Sequence, residues 1–148
     1  MEDDRIYKIY LVEPITIPNI TQEKLDEDFT EELYQNITPE EISQNKVAII
    51  GDDVFYIRCN KDKIKKVEKF IKKYHIIEIT DVSIEIIKSN EIYNSIGDKD
   101  MYQFGELFYD YRLEHTTKDD VLDKILKYDI NYIDDIDKKI LGEDLDNL

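Results

Sequence analysis

The sequence predicts an α+β fold, and three observations carry that expectation. Between residues 5 and 87 the apolar periods run strand, helix, strand, hairpin turn, strand, helix, strand. Beyond Ser89 the strand-like alternation ends and helical stripes take over, so a helical extension is expected after a βαββαβ core. A chain of 148 residues buries roughly 68–70% of the surface its unfolded form exposes, so a core can form without disulfides or metals.

Each element has a local reason. Residues 5–12 place Tyr7, Ile9 and Leu11 on one face and Ile6, Lys8, Tyr10 and Val12 on the other. Both sets are largely apolar, as in a central strand covered on both sides. Residues 13–19 hold two prolines and form an extended loop. Thr21 is a good cap for a helix whose buried stripe is Leu25, Phe29 and Leu33. Thr38-Pro39-Glu40-Glu41 combines a cap, a first-turn proline and a capping-box glutamate, which predicts a second, short helix. Val47–Ile50 and Val54–Cys59 are strands joined through Gly51-Asp52, a pair suited to a tight hairpin.

Asn60 caps the next helix, with Ile64, Val67, Phe70, Ile71 and Tyr74 on its apolar face and lysines opposite. Residues 76–87 read as a fourth strand whose phase slips at Thr80-Asp81, so a bulge or a break is expected there. Residues 90–100 read as a polar linker. Phe104, Leu107, Phe108 and Tyr111 then keep helical spacing, Thr117 caps another helix, and Asn131 is the expected cap of a last one ended by Gly142.

This order of elements resembles the split βαβ of ferredoxin-like domains. The resemblance implies a ferredoxin-like βαββαβ sandwich over residues 1–89, followed by a linker and a helical extension over 101–148. The extension is expected to pack on the core or on a partner. The stretch from Val121-Leu122-Asp123-Lys124-Ile125 to Asp137-Lys138-Lys139-Ile140-Leu141 resembles a helical-hairpin tail of Bacteroidetes proteins. The glycine usual between the two helices of such a tail is absent, and Asp129 or Asn131 must take its place.

Composition narrows the function. The formal net charge is −15, which opposes direct binding to nucleic acid or to an anionic membrane. The charge is unevenly spread. Between residues 21 and 44 eight carboxylates face Lys24 alone, whereas residues 61–74 hold seven lysines against Asp62 and Glu68. No apolar run reaches the ~18 residues of a membrane helix, and Met1-Glu2-Asp3-Asp4-Arg5 lacks the character of a signal peptide. With Cys59 as the single cysteine, a cytoplasmic setting is expected, in the host or in a virion. Isoleucine-rich, nearly alanine-free usage fits an AT-rich coding sequence, of a low-GC bacterium or its phage.

No catalytic, metal or cofactor motif emerges, so the expected role is non-catalytic. His75 and His115 lack a partner at metal or acid–base spacing and read as residues at helix ends. Cys59 reads as a core thiol. The paired aspartates fall in turns or on helix faces, and four glycines at 51, 97, 105 and 142 make no phosphate loop. What remains is surface: a protein-interaction or structural component, phage-borne or of a mobile element, that binds a protein partner or assembles with itself. The candidate contact residues are Ile15 and Ile17 in the proline-flanked loop, Glu27 and Glu31 on the acidic helix, and Lys65, Lys69 and Lys72 on the basic one. Two alternatives stand beside this reading. One is an acidic nucleic-acid mimic that inhibits a nucleic-acid-binding enzyme. The other is an RNA-recognition-like face carrying Tyr10, Tyr56 and Arg58. Against the latter, Ile6, Tyr10, Val12, Val54 and Tyr56 are expected to be covered by the stripe Phe104, Leu107, Phe108 and Tyr111.

Overall fold

A computed structural model describes residues 4–44, 46–50, 52–92 and 98–142, with side chains from 98 to 105 excepted. The fold is α+β. The chain divides into two compact units, Met1–Val82 and Ser83–Leu148.

The first unit holds β1 (Arg5–Pro14), α1 (Gln22–Asn36), α2 (Pro39–Ser43), β2 (Val47–Ile50), β3 (Val54–Cys59), α3 (Lys61–Ile71) and β4 (His75–Asp81). The strands form one sheet in the order β2-β3-β1-β4, with every neighbour antiparallel. Register places Tyr7 opposite Ile57 and Ile9 between Phe55 and Ile79. These side chains and Cys59 share one sheet face, where Ile64, Val67, Phe70 and Ile71 of α3 and Phe29 and Leu33 of α1 pack on them. The helices start where the side chains dictate. Thr21 accepts from the Lys24 amide, Asn60 accepts from the Lys63 amide at 2.8 Å, and Thr38 and Glu41 close a capping box. Gly51 of the expected hairpin turn lies outside the described residues.

The second unit holds α4 (Ser83–Lys88), α5 (Asp98–His115), α6 (Lys118–Tyr128), a 3-10 turn at Ile130–Tyr132 and α7 (Asp135–Leu141). Three sequence expectations change here. The slip at Thr80-Asp81 is a break: the strand stops at Asp81, and Ser83 opens a helix. Val82 and Ile86, read as strand residues in one phase, are both buried and lie one helical turn apart. The unit boundary therefore falls at Val82, ahead of residue 89, because α4 packs with α5 and α6. Asn90 is not a linker residue but completely buried. Finally, α7 is capped by Asp134 rather than Asn131, in a capping box with Asp137. Of the two residues expected to replace the hairpin glycine, Asp129 has the unusual backbone, at φ 131°. Its carboxylate steadies the turn by accepting from the Asn131 amide at 3.0 Å.

Candidate functional site

Two constellations merit a chemical reading, one in each unit. In the helical unit Arg112, Lys124, Asp134, Asp137 and Asn90 meet. Relative exposure is 0% for Arg112, 1% for Lys124 and 0% for Asp137. Arg112 grips Asp134 with both terminal guanidinium nitrogens, Nη1 to Oδ2 at 2.7 Å and Nη2 to Oδ1 at 3.0 Å. Its Nη2 also reaches Asp137 Oδ1 and Asn90 Oδ1, each at 3.0 Å. Lys124 Nζ donates to Asn90 Oδ1 at 2.8 Å and to Asp137 Oδ1 at 2.9 Å. The Asn90 amide group returns bonds to Asp137 Oδ2 and the Tyr132 carbonyl, both at 3.2 Å.

Two positive and two negative charges cancel within this cluster. Burial works against the Arg112 charge, but the Asp134 bonds and the two carboxylate charges outweigh it and raise its pKa. Burial pushes Lys124 down, with help from the Arg112 charge, despite its bond to Asp137. Burial would raise Asp134, yet the Arg112 bonds and the Asp137 amide hold it below the usual carboxylate value. Largely buried, and with each of its charges paired to an opposite one, the cluster is built as a structural clasp. Because Asp134 titrates lower when folded, its contribution to stability is complete above its ordinary pKa of 3.8 and is lost as pH falls through the lowered value. The helical unit is therefore expected to loosen below about pH 3.8, seen as broadening of the α6 and α7 amide signals. Sharp, unshifted signals down to about pH 2 would refute that role for Asp134.

In the sheet unit a cavity of about 200 Å³ opens between α1, α2 and the β2–β3 hairpin. Its walls are Phe29, Leu33, Ile37, Ile42, Val47, Ile49 and Phe55, with Tyr34 and Asp52 as the polar members and Leu11 and Val54 completing it. Local structure explains the opening. Ile37 ends α1 and is buried, but Ile42 on the short α2 stays 42% exposed. Ile49 pairs with Phe55 on the helix-facing side, yet β2 is the sheet edge and leaves Ile49 52% exposed. Tyr34 is 57% exposed. It follows Glu27 by seven residues and Glu31 by three, so it continues the outer stripe of α1. Along that stripe Glu23, Asp26, Glu27, Thr30 and Glu31 line a shallow acidic groove.

The sequence-predicted contact residues are distributed as follows. Glu27 and Glu31 are exposed in the acidic groove, and Lys65 and Lys69 are exposed on α3. Lys72 caps α3 and pairs with Glu68 at 3.4 Å. Ile15 and Ile17 are half-buried; the Ile15 amide donates to the Tyr74 carbonyl at 2.8 Å, so this loop is tied down. The acidic and basic helices stand side by side. Lys73 meets Glu32 at 3.2 Å, Lys63 meets Glu41 at 3.1 Å and the Asn36 carbonyl, and the Tyr74 hydroxyl donates to Glu32 at 2.5 Å. That last bond, with burial, raises Tyr74 to about 12.

On the other sheet face Tyr10 is 36% exposed, while Tyr56 and Arg58 are buried and Arg58 Nε bonds Asp4 at 2.7 Å. The three do not form an open stacking platform. Leu107, Phe108 and Tyr111 are buried, whereas the side chain of Phe104 lies outside the described residues.

The thiol and imidazoles take quiet places. Burial pushes Cys59 up to about 12, the reverse of an activated thiol. His75 does not end a helix as expected; it opens β4, its ring edge-on to Phe29 at 4.9 Å, and burial lowers its pKa. His115 does end α5, stacked on Tyr111 at 4.2 Å. Among the described residues no helix is long and apolar enough to cross a membrane. Set against known protein families, curated proteins and solved structures, the chain matches none of them.

Proposed function

We propose that this protein is a non-catalytic protein-binding module, and that the apolar cavity beside the acidic stripe of α1 is its docking site. The reading takes the sheet unit as a ferredoxin-like domain. Support for that comes from the strand order β2-β3-β1-β4, with the first and third strands central and both long helices on one face.

The observation that carries the functional reading is the cavity's chemistry. Nearly all its lining is aliphatic or aromatic, and it adjoins a run of carboxylates on a protein of net charge −15. Apolar pockets rimmed by charge receive anchor side chains of partners, with the charge setting partner choice and encounter rate. At about 200 Å³ the space suits one or two such side chains. The partner is a basic protein presenting Leu, Ile, Met or Phe between Lys or Arg residues.

The test is a titration with a library of lysine-flanked peptides, each carrying one apolar anchor, followed through backbone amide shifts. The expected shifts centre on Leu33, Tyr34, Ile42 and Ile49. Ile42→Asp, a change at an exposed wall position, is expected to weaken binding about tenfold or more. Shifts confined to α3, or no shifts with any member, would overturn the proposal.

A further inference from the structure

We infer that the partner segment binds as an extended strand added to the free edge of β2, with its anchor side chain lowered into the cavity; this rests on the docking site proposed above. The backbone carries the argument. The Arg58 amide donates to the Lys46 carbonyl at 2.8 Å, which makes these two a hydrogen-bonded antiparallel pair. Register then makes Ala48 opposite Tyr56 and Ile50 opposite Val54 hydrogen-bonded pairs as well. Val47 opposite Ile57 and Ile49 opposite Phe55 are the alternate pairs. Val47 and Ile49 therefore turn their N–H and C=O groups away from β3, toward the outer edge of the sheet.

No described residue bonds those outward groups. They form a two-residue template of donors and acceptors at the spacing of an incoming strand. The side chains of the same two residues line the cavity. A strand that bonds Val47 and Ile49 thus places every second side chain on the cavity side, next to Ile42 and Tyr34. Main-chain bonding and apolar anchoring are available to one ligand at one time, which is the physical pattern of strand addition.

Charge selects the occupant. Exposed Glu40 stands before the edge and exposed Asp52 and Asp53 follow it, against Lys46 alone. A strand bearing Lys or Arg at both ends is drawn to these carboxylates. A second copy of this chain would bring its own carboxylates and a further charge of −15, and charged flanks of this kind discourage self-pairing of edges.

The experiment uses the full chain and a heptapeptide with two valines on each side of a central phenylalanine and lysine at each end. A twin of the peptide is N-methylated at the two amides that would face β2. Strand addition predicts that methylation weakens binding about tenfold or more, and that the unmethylated peptide slows hydrogen exchange at the Val47 and Ile49 amides. Equal binding of both peptides, still sensitive to Ile42→Asp, would overturn strand addition and leave the cavity reading standing. Binding insensitive to Ile42→Asp, or none at all, would overturn both. Slow exchange at Val47 and Ile49 without peptide, in a protein that sediments as a dimer, would overturn the basic-peptide assignment in favour of a second copy.

Discussion

Asp137→Ala is expected to destabilise the helical unit by about 3–5 kcal/mol, the range for removing one partner of a buried ion pair. Asp137 is fully buried and receives bonds from Arg112, Lys124 and Asn90. Without it, one net positive charge stays in a largely buried cluster, and Lys124, whose pKa burial already lowers, is the group expected to shed its proton. The loss is readable by urea unfolding followed through amide exchange in α6 and α7. Asp137→Asn, which keeps the shape and loses the charge, is expected to recover only a small part. Replacing Arg112, Lys124, Asp134 and Asp137 together with apolar residues of similar volume is expected to cost far less than the single change, because no uncompensated charge remains. A loss of less than about 1 kcal/mol for Asp137→Ala would show that water enters the cluster and that it is not a structural clasp.

Phe70→Ala is expected to cost the sheet unit about 3–5 kcal/mol, from lost apolar transfer and the cavity left behind. Phe70 is buried in the cluster that joins α3 to β1 and β3, and its ring stacks on Phe29 at 5.9 Å. The substitution removes that contact and loosens α1 as well as α3. Exchange of β1 and β3 amides in a urea series measures the effect. A change within error would mean that α3 does not hold the sheet.

The order of elements in the sheet unit could be read from the sequence because each local signal agreed with the tertiary outcome. Thr21, Thr38 and Asn60 are caps in both, and Ile64, Val67, Phe70 and Ile71 are an apolar stripe in both. The boundary at Val82 was hidden because Val82, Ile84 and Ile86 satisfy alternation, while Val82 and Ile86 also satisfy helical spacing. Only burial separates the two, since Ile84 is exposed and Ile86 is not. The buried cluster was invisible for a related reason. Asn90, Arg112, Lys124 and Asp137 are polar, and polar residues are assigned to solvent unless a partner is known. A trace existed nonetheless: Lys124 follows Val121 by three residues, on the apolar side of its helix. The cavity was missed because Ile42 and Ile49 belong to good local patterns; what leaves them in water is the shortness of α2 and the edge position of β2.

The buried clasp also bears on how the helical unit comes together in time. Its bonds join residues as far apart as Asn90 and Asp137, 47 positions along the chain. These groups are well hydrated in the open chain, whereas a half-assembled clasp has lost water without gaining its full set of bonds. Helix α6, the 3-10 turn after it and α7 can therefore form and pack early through local contacts, while the charged centre closes last. Interactions that form after the rate-limiting step govern escape from the native state rather than entry to it. The clasp is then expected to act as a latch on the finished unit: changes within it should raise the unfolding rate read in a stopped-flow series and leave the folding rate nearly untouched.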